Sequence, residues 1–283
     1  MASNAQEGAR PSPQTGSCRL LIMVLLYNAE DTVNWVLDRI PRVLLENEQT
    51  RVLVLDDYST DSTMTVANEY RDAHPELDIV VHRHPRNLRY GGNQKAGYRY
   101  AAEHGFDVVA MIHGDGQYAP EELPRLLEPL MSGEADAVMG SRFLVRGGAL
   151  AGGMPPYKYV GNRVLSFVQN LLLGSHFSEF HSGYRLYRVS TLNQMPVESM
   201  DDGYPFDTHI ILELVSSGAR IVEMPIPTYY GTEECRVNGM HYAWMVFWAT
   251  ARHSWRHRGG RGRSSLSTGS VESEVPCADV GPA

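Results

Sequence analysis

The chain of 283 residues has few cysteines, no long apolar run and no excess of basic charge. Cys18, Cys235 and Cys277 are widely spaced, odd in number and without a CxxC pair, which excludes a disulfide framework and a cysteine zinc site. No stretch reaches the roughly 18 consecutive apolar residues of a spanning helix; the nearest approach, residues 242–250, leads into charge. Residues 1–17 are polar, rich in Pro, Gly, Ser and Gln, and lack the apolar centre of a signal peptide. Lys and Arg number 25 against 33 Asp and Glu, a formal charge of -8, and a nucleic-acid binder needs the opposite balance. These absences predict a protein of the reducing cytoplasm, with a flexible leader over 1–17 and a single domain over 18–258. The Gly, Arg, Ser and Val composition of 259–283 predicts a disordered tail.

What is present is an alternation. Residues 19–26 (RLLIMVLL), 51–55 (RVLVL), 79–84 and 106–112 are apolar runs of strand length, and segments with helical apolar spacing separate them. Four strands alternating with helices specify a mostly parallel, doubly wound sheet flanked by helices. Further strands are expected at 137–140 and 221–226, with a strand or hairpin arm at 180–187. Helices are expected from Val33, from Ala96, and over 120–130, 159–173 and 209–215. The glycine-rich stretch 145–156 is long enough for an active-site loop.

The polar residues gather where these strands end, which is where open α/β sheets bind ligands. After residue 112 come His113, Gly114, Asp115, Gly116 and Gln117. In an extended segment alternate residues point the same way, so His113, Asp115 and Gln117 can meet on one ion. The same letters also read as ordinary turn chemistry. The second strand ends in Asp56 and Asp57, more carboxylate than a helix cap needs and able to accept hydrogen bonds from a base or ribose. Tyr27, Asn28 and Glu30 follow the first strand, where Asn28 or Asp31 is an expected helix cap. After the third come Asn87, the pair Gly91 and Gly92 at a helix opening, and Asn93; that glycine pair suits close approach of a nucleotide or sugar.

The order of motifs resembles a family. YNAEDTV at 27–33, LDDYSTDST at 55–63, NLRYGGNQKAG at 87–97, HGDGQYAPE at 113–121 and GSRF at 140–143 are followed by GNR at 161–163, HSGYRLY at 181–187 and FD at 206–207. Over residues 19–245 the chain is similar to family 2 glycosyltransferases of the GT-A fold, and in its second half to dolichyl-phosphate mannose synthases and polyprenyl-phosphate hexosyltransferases. The resemblance implies an inverting transfer from a UDP- or GDP-linked sugar to a polyprenyl phosphate or related phosphorylated carrier. It implies nucleotide-sugar contacts at Tyr27, Asn28, Glu30, Asp57, Asn87, Gly91, Asn93, Gly114 and Asp115. It implies Mn2+ or Mg2+ at Asp115 and Gln117, with His113 standing where the family has its first aspartate; imidazole suits Mn2+ better than Mg2+. It implies phosphate contacts at Arg142, Arg163 and Arg185, since arginine binds phosphate oxygens bidentately and stays charged.

Two other readings remain at this point. Transfer to a hydroxyl requires a general base, for which Asp207 and Asp202 are the candidates, Asp207 also reading as a helix N-cap. A catalytically silent GT-A domain is suggested by His113 and by Ala29, which replaces the family's usual glutamate. Finally, HYAWMVFWATARHSW at 241–255 runs into Arg256, Arg258, Arg261 and Arg263 without an acid. Aromatic rings beside basic groups suit the interface of an anionic membrane, so a peripheral contact through 241–263 at the cytoplasmic face is expected.

Overall fold

Strand β1 (Leu20–Leu26) is buried at every position, because it lies in the middle of a sheet covered on both faces. The computed structural model describes residues 18–230 and 239–257. The expected leader at 1–17, the expected tail at 259–283, and Arg258, Arg261 and Arg263 lie outside the described residues.

From β1 the chain turns into α1 (Val33–Asp38) and the single turn α2 (Arg42–Leu45), then β2 (Thr50–Asp56), α3 (Thr63–Ala73) and β3 (Ile79–Arg83). Helix α4 (Arg89–Glu103) leads to β4 (Val108–His113), and a 3-10 turn, Pro120–Glu122, opens α5 (Leu123–Met131). Next come β5 (Ala137–Ser141), the short α6 (Gly148–Ala151), α7 (Pro156–Leu173), β6 (Arg185–Arg188) and α8 (Val189–Leu192). A 3-10 turn at Val197–Ser199 precedes α9 (Phe206–Ser216), β7 (Ile221–Pro225) and α10 (Gly239–His257).

The seven strands lie in the order β3-β2-β1-β4-β6-β5-β7. All neighbours are parallel except β6, which runs antiparallel between β4 and β5, with Val108 opposite Arg188 and Ala137 opposite Tyr187. Two apolar layers, one on each face, hold the sheet between its helices. One joins Ile22, Val24, Val54 and Ile112 to α1, α3 and α5; the other joins Met23, Leu55 and Met111 to α4 and α9.

The register aligns the strand ends that matter. Leu26 pairs with Asp56 and Leu25 with His113, so Tyr27, Asp57 and Gly114 leave the sheet side by side. Three details differ from the sequence expectation. Helix α4 starts at Arg89, seven residues before the expected Ala96, taking the glycine pair inside its first turn. Helix α9 starts at Phe206, which puts Asp207 within its first turn with Pro205 as the N-cap. Neither Asn28 nor Asp31 is the N-cap of α1, which is Thr32.

Candidate active site

The chain leaves β1, β2 and β3 through segments that each hold one non-glycine residue with positive φ: Asn28 at 50°, Tyr58 at 66° and, as the first residue of α4, Arg89 at 66°. Among the described residues these are the only three, and such strain gathers where side chains are held for function. Side chains stitch the loops together. Asn28 donates its amide to Ser59 Oγ at 2.8 Å and accepts from the Thr60 amide at 2.9 Å. Glu30 accepts from the Ser62 amide at 2.7 Å at the start of α3. Asn87 reaches back to the Asp57 carbonyl at 3.0 Å, and the Leu88 amide donates to Asp57 Oδ1 at 2.6 Å. Asp56 is fully buried, accepts from the Ser59 amide and hydroxyl, and pairs with Arg83 at 3.4 Å; it builds the loop. Asp57 sits above it. Burial raises its pKa to about 6; the Leu88 amide lowers it, and Asp56 beside it raises it.

The end of β4 corrects the expected geometry of the metal ligands. The chain turns at once: the Gly116 amide donates to the His113 carbonyl at 3.3 Å and the Gln117 amide to Asp115 Oδ1 at 3.0 Å. The alternation of an extended segment therefore does not apply at 113–117. Gly116 has φ +70°, and a Cβ there would lie 2.0 Å from Trp35, so the turn demands glycine. Asp115 is exposed, Gln117 half-buried, and Gly114 buried with its amide on the Leu25 carbonyl. His113 points into the protein, its ring edge-on to Tyr90 and Tyr118 and its Nε2 3.3 Å from Tyr90 Oη.

Beneath that turn lies a buried network that ties four elements together. Tyr90 Oη lies between His113 and Asp207, donating to Asp207 Oδ2 at 2.8 Å. Asp207 also accepts from Gln94 at 3.0 Å and lies 3.8 Å from the Arg185 guanidinium. Arg185, 1% exposed, donates to the carbonyls of Phe180, Ser182 and Asp207. Burial alone would lower its pKa, yet Asp207 beside it holds it raised. A second buried pair lies in the GSRF motif, where Arg142 grips Glu179, donates to Tyr230 Oη at 3.1 Å and keeps its charge against burial for the same reason. Next to both arginines, burial and then their charges push His181 down to about 3, so it is a neutral imidazole.

The structure thus separates the expected site residues into two tiers. Tyr27, Glu30, Asp115 and Arg163 lie at the surface, Arg163 with its guanidinium over the rings of Phe143 and Tyr159. Asp57, Arg142, Arg185 and Asp207 are buried. Arg185, expected at a phosphate, has its donors on the carbonyls of Phe180, Ser182 and Asp207 and lies beside the Asp207 carboxylate. Asn93 is buried on His84 at 2.9 Å and the Leu55 carbonyl, below the loops. Gly91, expected near the nucleotide sugar, packs against the segment before α9. Its amide and that of Gly92 donate to the Asp202 carbonyl, at 2.7 and 3.2 Å, so protein occupies that helix opening. A Cβ on Gly91 would lie 2.7 Å from Asp201 O and Phe206 Cβ. Asp202 itself is exposed and paired with Lys95 at 2.8 Å. Sequence reasoning missed Tyr90, Gln94 and Glu179; the first two stood inside the quoted NLRYGGNQKAG motif, and Glu179 two residues ahead of HSGYRLY.

A mostly parallel sheet that presents Asp57 and Asp115 after β2 and β4, on either side of β1, with the antiparallel β6 next to β4, defines a nucleotide-sugar transferase fold of the GT-A type. The model of the Glycosyl transferase family 2 matches residues 21–195, and the chain belongs to that family and is a glycosyltransferase. It is 33% identical over 211 residues to the undecaprenyl-phosphate mannosyltransferase of Micrococcus luteus, covering 74% of this chain and 82% of the relative. It is 30% identical over 224 residues to the polyprenol monophosphomannose synthase of Mycolicibacterium smegmatis, covering 78% and 82%. Among solved structures, glucosyl-3-phosphoglycerate synthase from Mycobacterium tuberculosis with uridine diphosphate shares the fold, with a TM-score of 0.62 at 17% identity over 88% of this chain and 87% of that one. A mannosyltransferase from Pyrobaculum calidifontis with GDP-mannose and Mn2+ has a TM-score of 0.57 at 17% identity, over 92% and 70%.

Proposed function

We propose that the domain of residues 18–258 moves a hexose-type sugar from a UDP- or GDP-linked donor to a polyprenyl phosphate or related phosphorylated carrier, with inversion. The observation that carries this reading is the likeness, at 30 to 33% identity over three quarters of the chain, to two enzymes named for polyprenyl-phosphate mannosyl transfer. The geometry supports it. Asp57, with Tyr27 and Glu30 in the neighbouring loop, would receive the nucleoside, and Arg163 at the surface would meet a phosphate.

In an inverting transfer an acceptor phosphate oxygen attacks the anomeric carbon opposite the nucleoside diphosphate. The new C–O bond forms as the bond to the diphosphate breaks, and no proton moves because the acceptor is already ionised. The two carboxylates expected as a base for a hydroxyl acceptor are both engaged, Asp207 by Tyr90, Gln94 and Arg185, and Asp202 by Lys95. That favours the phosphate.

Among the described residues no group of three or more His, Cys, Asp or Glu is arranged to hold a metal alone. A lone exposed carboxylate fits an ion whose other ligands are substrate phosphates and water, which is how Mg2+ and Mn2+ are bound in many phosphate-transfer sites. Asp115 would hold it, with Gln117 beside it and His113 steadied by Tyr90 behind. Mn2+ or Mg2+ there would offset the charge growing on the leaving diphosphate. A panel of radiolabelled nucleotide sugars, with and without polyprenyl phosphate, tests the reading. Label reaching the lipid phase only when the phosphate is supplied is the expected result; turnover confined to hydroxyl acceptors, or none with any donor, would overturn it.

A further inference from the structure

Trp35 stands off the face that α1 turns to the core. The core stripe of that helix is Val33, Val36 and Leu37, all buried, while Trp35 is 45% exposed. A large ring left off the stripe has another surface to cover, and here it covers the turn that follows β4. A Cβ on Gly116 would stand 2.0 Å from the Trp35 ring, so the glycine backbone lies directly on the indole. The Arg39 guanidinium also lies over that ring, 4.1 Å from its centre. Arg39 reaches on to Glu121, with Nε 2.6 Å from Oε1 and a terminal nitrogen 2.9 Å from Oε2. One turn earlier Thr32 donates its hydroxyl to the Gly114 carbonyl at 2.5 Å.

Thr32, Trp35 and Arg39 recur at intervals of three and four, so they share one side of α1 and its two caps. Their contacts fall on Gly114 and Gly116, which flank Asp115, and on Glu121 at the far end of the same loop.

Asp115 needs such a support. Among the described residues its carboxylate bonds only the Gln117 amide, two residues along the same turn, and no hydrogen bond from a strand or helix reaches it. Its place is therefore the place of the turn's backbone. The Gly114 amide ties that backbone to the Leu25 carbonyl at 2.9 Å, and α1 supplies the remaining hold. The clamp is not built for stability alone. Arg39 leaves its other terminal nitrogen buried with no partner among the described residues, an arrangement that a purely structural ion pair avoids. A ligand carried on a loop reaches its ion with precision only when supporting side chains fix the loop first.

We propose that Thr32, Trp35 and Arg39 are positioning residues for the metal and diphosphate subsite: one side of α1 braces the loop of residues 114–121 and sets Asp115 in place before the ion arrives. This rests on the reading that Asp115 holds the ion, and the test separates the two. Full-length protein is titrated with Mn2+ in the presence of uridine or guanosine diphosphate, with free Mn2+ read by electron paramagnetic resonance. Diphosphate affinity is measured separately without metal. Trp35→Ala should weaken Mn2+ binding about tenfold, the usual scale for losing a group that orients a metal ligand, and leave the metal-free diphosphate affinity and the circular dichroism spectrum unchanged. Trp35→Phe keeps a ring under Gly116 and Arg39 and should recover most of the loss. Amide exchange at residues 114–117, followed without metal, should quicken in Trp35→Ala. Thr32→Val removes the bond to the Gly114 carbonyl and should weaken Mn2+ in the same sense, which keeps the test decisive where Trp35→Ala does not fold. Wild-type Mn2+ affinity in Trp35→Ala, or in Thr32→Val in its stead, would overturn the proposal and leave Asp115 standing as the ligand. An equal loss of metal-free diphosphate affinity would also overturn it, because the damage would then extend to the whole site. Asp115→Ala that binds Mn2+ as wild type does would sink the metal reading itself, and the proposal with it.

Discussion

Asp207→Asn separates a structural acid from a catalytic one. Arg185 is 1% exposed and, among the described residues, Asp207 is its only acidic partner within salt-bridge distance, at 3.8 Å. Removing that charge leaves a buried guanidinium satisfied only by carbonyls. Breaking a buried pair from one side costs about 3–5 kcal/mol. The long separation and the surviving bonds to Phe180, Ser182 and residue 207 O put the variant near the lower end, about 3 kcal/mol. The amide keeps an oxygen for Gln94, and Tyr90 can turn its hydroxyl toward His113, so little else is lost. For a domain of this size each kcal/mol moves Tm by roughly 2–4 °C, so a fall of about 6–12 °C is expected. The assay is Tm by differential scanning fluorimetry with initial transfer rates well below the lowered Tm. Turnover per folded molecule should stay within about tenfold of wild type, because an ionised phosphate needs no base. An unchanged Tm with a rate reduced about 100- to 10,000-fold, the usual loss of a general base, would refute this reasoning and restore a hydroxyl acceptor.

Asp115→Ala should lose nearly all transfer with an unchanged circular dichroism spectrum, since among the described residues this exposed side chain bonds only the neighbouring Gln117 amide; wild-type turnover would remove it from the site. Chelation of divalent ions should abolish transfer and Mn2+ should restore it, and full activity in chelator would contradict metal assistance. If ionised Asp57 receives the nucleoside, nucleoside diphosphate affinity should fall about tenfold from about pH 7.5 to about pH 5, and Asp57→Asn should flatten the profile in calorimetric titration. Its raised pKa makes the folded state hold the proton longer, so this group's contribution to stability is lost as pH rises through about 6, opposite to affinity. Gly91→Ala should cost about 1–3 kcal/mol, read as a lowered denaturation midpoint, because the new methyl would stand 2.7 Å from Asp201 O and Phe206 Cβ; a wild-type midpoint would show that the 201–206 loop is free to shift.

Strands β1, β2 and β4 were legible because a strand covered on both faces has to be apolar throughout, and a polar cluster at its end then stands out. The antiparallel course of β6 was not, since Arg185–Arg188 is too short to carry direction in its pattern. The depth of the arginines was equally hidden. Arg142 and Arg185 are the same letters as Arg163, and only Glu179 and Asp207, distant in sequence, make their burial affordable. The helical period of α7 was plain, but a period does not say which way the stripe faces. The stripe from Tyr157 to Leu171 faces out, while Ser166, Gln169 and Leu173 are the buried positions. At 113–117 the expectation of an extended strand failed because Gly116 reversed the chain one step after Asp115.

The central claim is that the sugar ends on a phosphate oxygen with its anomeric configuration inverted. Mass spectrometry of the lipid product, with NMR of the anomeric proton and phosphorus coupling, tests this most directly. The account predicts a glycosyl phosphodiester of the polyprenol whose anomeric configuration is opposite to that of the donor. A glycoside on a hydroxyl, a retained configuration, or free sugar alone would contradict it.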